Sequence, residues 1–134
     1  MSTHHVLAAI ASVVLLSACA SAPVRPVADS LSDVPIIEEM RYVAERSTII
    51  DGPSVKASRL VYRGRFEPQS VAESMRKGLE KNGWRHLTTI NASNSSITQL
   101  YEKPGGSMHL VVWEGSWYTY VELMVARTGQ TAQR

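Results

Sequence analysis

One cysteine in 134 residues is too few for a disulfide framework or a cysteine-based metal site. Histidine is almost as scarce. His4 and His5 stand at the extreme N-terminus, and His86 and His109 lack the i,i+4 or H-E-x-x-H spacing that puts two imidazoles on one metal. No G-x-S-x-G elbow gives any serine a nucleophile's setting. Glu38 and Glu39 are adjacent, so their carboxylates do not face one substrate together. Pro104-Gly105-Gly106 is too short to cradle a phosphate and reads as a hairpin turn. Nor is there a surplus of charge: 14 basic against 12 acidic residues give a formal +2, which argues for neither nucleic-acid binding nor a polybasic membrane clamp. These absences predict a protein without catalytic machinery, metal or other cofactor, and without a nucleic-acid partner.

What is present begins at the N-terminus. Val6–Leu16 reads VLAAIASVVLL, an uncharged stretch of signal-peptide h-region length. It is well short of the roughly 20 residues that span a bilayer. Leu16-Ser17-Ala18-Cys19 follows it. This order resembles the lipobox of bacterial lipoproteins: an aliphatic residue, a small one, Gly, Ala or Ser, then Cys. The resemblance implies that residues 1–18 are removed as a signal peptide and that Cys19 is lipidated and ties the chain to a lipid bilayer. Acyl chains hold at about 0.8 kcal/mol per buried CH₂, and two or more chains anchor stably. Ala20 stands where lipoproteins retained at the inner membrane carry Asp, so the implied address is the outer membrane, on its periplasmic face, with the inner membrane as the alternative. Ala18-Cys19-Ala20 also fits the A-x-A cleavage rule, which would release a soluble periplasmic protein.

Residues 19–34 are rich in Ala, Ser, Pro and Asp without hydrophobic period, and read as the lipidated cysteine with a flexible tether. Residues 35–127 form a single α+β domain, and 128–134 a polar, frayed tail. Within the domain, Pro68–Gly83 is the clearest helix: Pro suits its first turn and Asn82-Gly83 its stop. Val71, Met75 and Leu79 recur every four residues as one apolar stripe, with Ala72 and Gly78 at its margins. Strands are expected at Ser58–Arg63, Trp84–Thr89, Ile97–Lys103, Met108–Glu114 and Tyr118–Ala126, with Ser47–Asp51 hairpinning through Gly52-Pro53-Ser54 into Val55–Tyr62, while Ile36–Ala44 is open between strand and short helix. The short connections predict an antiparallel sheet of about five or six strands with the amphipathic helix packed on one face.

Alternation assigns the faces. Met108, Leu110 and Val112 share one side with Thr119, Val121, Leu123 and Val125, and should meet the helix. The reverse side carries His109, Val111 and Trp113 beside Tyr118, Tyr120, Glu122 and Met124. Aromatic residues in such a place are enriched at interfaces. Either this face docks a partner, or the segment with Ile36, Ile37, Met40 and Tyr42 folds across it. The run PIIEEMRYVAERS, then RLVYRG, a helix ending in NGW, LYEKPGG and a closing strand pair resembles a group of small bacterial lipoproteins of unknown function, over about Pro35 to Arg127. Its marks are Tyr62, Gly64, Gly83-Trp84 and Lys103, and it implies a fold without an activity.

The expectation is therefore a non-catalytic envelope lipoprotein whose partner is a protein, met through Trp113, Tyr118, Tyr120 and His109. The alternative is a binder of lipid or peptidoglycan between helix and sheet.

Overall fold

A computed structural model describes residues 21, 23–26 and 28–128. The expected signal peptide, the expected lipidation of Cys19 and the tail from residue 129 lie outside the described residues. Among the described residues, seven strands, β1 (Arg41–Tyr42), β2 (Thr48–Asp51), β3 (Val55–Gly64), β4 (Arg85–Asn91), β5 (Ile97–Lys103), β6 (Gly106–Glu114) and β7 (Thr119–Thr128), form one sheet with a single α-helix, α1 (Pro68–Lys81), on one face. The order is β1-β3-β7-β6-β5-β4, with β2 also on β3, and every pairing is antiparallel. β1 and β2 therefore lie end to end along one edge of β3. The expected α+β architecture is the observed one.

Local chemistry sets the helix ends. The Glu67 carboxylate accepts hydrogen bonds from the Gln69 and Ser70 amides at 3.0 and 2.7 Å, with Pro68 in the first turn. Gly83 closes the helix at φ +88°, a left-handed conformation that favours glycine, and the Trp84 amide returns to the Leu79 carbonyl at 3.0 Å. The chain then turns under the helix end, burying Trp84.

The apolar faces meet as the alternation predicts. Val71, Ala72, Met75 and Leu79 of α1 pack on Leu60, Met108, Leu110, Val112, Val121, Leu123 and Val125, all buried. Burial of each large side chain contributes about 1.5–3 kcal/mol as an upper value.

Two expectations change at the N-terminus. The tether does not run to residue 34, because Leu31 and Val34 are both 2% exposed in the core cluster, after a 3-10 turn at Asp29–Leu31. Ile36–Ala44 becomes neither a long strand nor a helix. It turns at Glu39, in the left-handed region at φ +67°, pairs for two residues with Tyr62 and Arg63, and passes into a 3-10 turn at Ala44–Arg46.

This segment lies on the helix side of the sheet. Tyr42 packs at a tilt against Tyr62 with ring centroids 5.6 Å apart, a β-carbon on Gly78 would meet Pro35 at 3.3 Å, and the Asn82 side chain donates to the Asp33 carbonyl at 3.1 Å. The Asp33 carboxylate takes an ion pair from each of Lys103 and Arg127, whose cations lie over the Trp84 ring at 5.3 and 5.1 Å. Burial acts to raise the Asp33 pKa, but hydrogen bonds and charge from Lys103 and Arg127 outweigh it and hold the carboxyl below its ordinary value. Gly83-Trp84 and Lys103 thus serve a clasp that fastens the entering chain to the sheet.

Candidate functional site

With residues 31–42 beside the helix, the reverse face of the sheet is covered at its β3 edge by Val43 and the Ala44–Arg46 turn, which bury Val61, and among the described residues the rest of that face has no covering segment. The expectation that Ile36, Ile37, Met40 and Tyr42 fold across it is overturned, since Met40 and Tyr42 belong to the core on the other side. The cause is register: Tyr42 pairs with Tyr62, and a one-residue slip would have turned it to the opposite face.

One end of this open face is built by the β6–β7 hairpin. Its tight turn is closed by the Gly115 amide donating to the Tyr118 carbonyl at 2.8 Å, which aligns Trp113 directly with Tyr120. Their rings stack with centroids 5.4 Å apart and planes 13° from parallel. Tyr118 meets Tyr120 edge-on at 6.5 Å. Gly115 is required here for space, because a β-carbon there would stand 2.8 Å from the Tyr120 ring.

Arginines complete the cluster. Arg63, the β3 partner of Tyr120, sits 5.0 Å from the Tyr118 ring centroid, and Arg65 sits 5.6 Å from the same ring. Arg46 lies 5.4 Å over Tyr120. Its turn is held by Ser47, whose hydroxyl donates to the Val43 carbonyl at 2.8 Å and accepts from the Val61 amide at 2.9 Å. Cation–π contacts at exposed sites contribute about 0.5–1 kcal/mol each. Among the described residues, none of these three arginines has a carboxylate partner, whereas Arg59 is bound to Glu122 at 2.6 Å and Arg85 to Glu102. The open face therefore carries surplus positive charge.

His109 does not join this cluster. It stands four residues before Trp113 on β6, about 13 Å away at strand rise. There it lines a shallow concavity of about 530 Å³ with Leu87, Leu100 and Met124. His86 is elsewhere again, edge-on to the Tyr101 ring at 5.3 Å and bonded to the Thr89 hydroxyl at 2.8 Å. Burial pushes the Tyr101 phenol up, and its hydroxyl donates to the Gln99 side chain at 2.6 Å. No three His, Asp or Glu side chains among the described residues gather in a way that could hold a metal ion.

Sequence reasoning finds Trp113, Tyr118 and Tyr120 but misses Arg46, Arg63 and Arg65. For two of them a signal was available in strand alternation. Arg59, Arg63 and Arg65 all fall an even number of places apart, which puts basic charge on the face opposite Leu60 and Tyr62. Sequence reasoning also misses Trp117, 79% exposed in the hairpin turn. No protein-family model matches the chain, and comparison with curated proteins and with solved structures finds no match.

Proposed function

We propose that this chain is a lipid-anchored, periplasm-facing lipoprotein that acts as a non-catalytic interaction module of the bacterial cell envelope, binding a protein through the open face of its sheet. The observation that carries the reading is the half-exposed aromatic cluster of Trp113, Tyr118 and Tyr120, overlaid by arginines that have no carboxylate partner among the described residues. Tyr, Trp and Arg are the residue types enriched at binding hot spots. The anchor rests on the lipobox-like Leu16-Ser17-Ala18-Cys19 after an uncharged apolar run. Among the described residues, no helix is long and apolar enough to cross a membrane.

Two measurements test it. Cys19→Ala should abolish incorporation of labelled palmitate and move the protein out of the membrane fraction; a variant that stays membrane-bound after a high-salt wash overturns the anchor. Truncating Trp113 should weaken a partner complex by about 2 kcal/mol or more, as at a hot spot.

A second reading, a binder of a lipid or a peptidoglycan fragment, is favoured by a groove of about 620 Å³. The groove lies between α1 and residues 35–40, beside Val71 and Met75. It is not between helix and sheet, where Leu60, Leu79, Leu110 and Leu123 are fully buried.

A further inference from the structure

The open face is divided along β7. At one end lies the arginine–aromatic cluster around Tyr120, and at the other the apolar concavity around Met124. The two are four residues apart on one strand, about 13 Å. Between them Glu122 is neutralised by Arg59. The concavity is walled by exposed Ile50 at one sheet edge and Leu87 at the other, with exposed Ile90 beyond Leu87 on β4, so the apolar strip runs across the sheet.

We infer that the partner segment seated on this face is acidic and amphipathic, with aliphatic side chains in the concavity and carboxylates about 13 Å away at Arg46, Arg63 and Arg65. This rests on the reading that the open face binds a protein. Charge decides the class of occupant. The open-face carboxylates Glu102 and Glu122 are already paired with arginines, so two such faces would set their guanidinium groups against each other with only Glu45 and Glu114 at the margin to answer them. Stacking two such faces brings like charge together, which opposes association. A partner with carboxylates gains charge-assisted and, with Arg, bidentate hydrogen bonds. The Tyr118 and Tyr120 rings under the guanidinium groups hold them near the sheet instead of free in solvent. The spacing fits about nine residues of helix or four of strand.

The test uses the full chain in its own cells, with a photo-crosslinking residue at position 124. The expected result is a protein adduct whose crosslinked segment carries aliphatic side chains and at least two carboxylates within reach of the arginines. Adduct yield should fall at least tenfold in R46E/R63E/R65E and return when the partner's acidic residues are changed to Lys. Should the charge-reversed chain lose its unfolding midpoint, R46Q/R63Q/R65Q is read in its place, with the same loss expected. A lipid adduct, an adduct with a second copy, or no adduct overturns both this inference and the partner reading. A protein adduct that survives charge reversal overturns the acidic segment alone and leaves the partner reading standing.

Discussion

At the scale of single residues, the two faces of the sheet should answer substitution differently. Leu79 and Leu123 have no exposure, so Leu79→Ala or Leu123→Ala should cost about 2–5 kcal/mol in denaturant unfolding. Glu80→Ala or Lys81→Ala on the outer side of α1 should stay within about 0.5 kcal/mol. Equal losses at both sets would mean the helix faces the other way. Gly115 offers a sharper probe of the open face. Gly115→Ala puts a methyl against the Tyr120 ring and must displace that ring from Trp113. The expected outcome is loss of the stacked-ring signature in aromatic NMR shifts, with the core resonances of Leu110 and Leu123 unmoved. Shifts spreading through the core would show that the cluster supports the fold. Trp113, Tyr118 and Tyr120 were legible because strand alternation fixes which side a residue takes. Their arginine partners were less so, because Arg63 meets Tyr120 only through the pairing of β3 with β7, strands far apart in the chain.

At the scale of elements, α1 and the β4–β7 meander were the most readable parts, since each carries its own boundaries. Pro68 and Gly83 bracket the helix, and Gly105 and Gly115 sit at the two tight turns. The N-terminal segment was the least readable. Leu31, Val34 and Met40 are separated by Ser, Asp, Pro and Glu, with neither a helical nor a strand period, so nothing local says that they enter the core. Their burial is decided by contacts distant in sequence: Pro35 against Gly78, Tyr42 against Tyr62, Asp33 against Lys103 and Arg127. The helix stop is testable alone. Gly83→Ala forces a β-carbon into φ +88°, and should cost about 1–2 kcal/mol of stability with little change in the spectrum of the folded state. A neutral result would mean that the cap relaxes to an ordinary conformation.

At the scale of the whole molecule, Leu31 and the clasp at Asp33 mark where the folded domain begins. The buried core residues lie between Leu31 and Val125, so a chain starting at residue 28 keeps the complete core, while one starting at Pro35 loses Leu31, Val34 and the Asp33 carboxylate. The shorter chain should unfold at clearly lower denaturant, because each lost apolar side chain removes about 1.5–3 kcal/mol of burial as an upper value. The clasp also carries a pH signature. The folded Asp33 pKa lies below its ordinary value near 3.8, so the unfolded chain takes up its proton before the folded chain does. Asp33 therefore contributes stability that is fully present above about pH 4–5 and is lost as pH falls through the folded pKa. Asp33→Asn removes that contribution and leaves Lys103 and Arg127 side by side without a counter-charge. The stability difference between wild type and Asp33→Asn, measured by urea unfolding from about pH 7 to about pH 2, should be constant at neutral pH and shrink below about pH 4. A difference that does not change with pH would show that Asp33 holds the segment by its backbone, through the bond from Asn82, and not by charge.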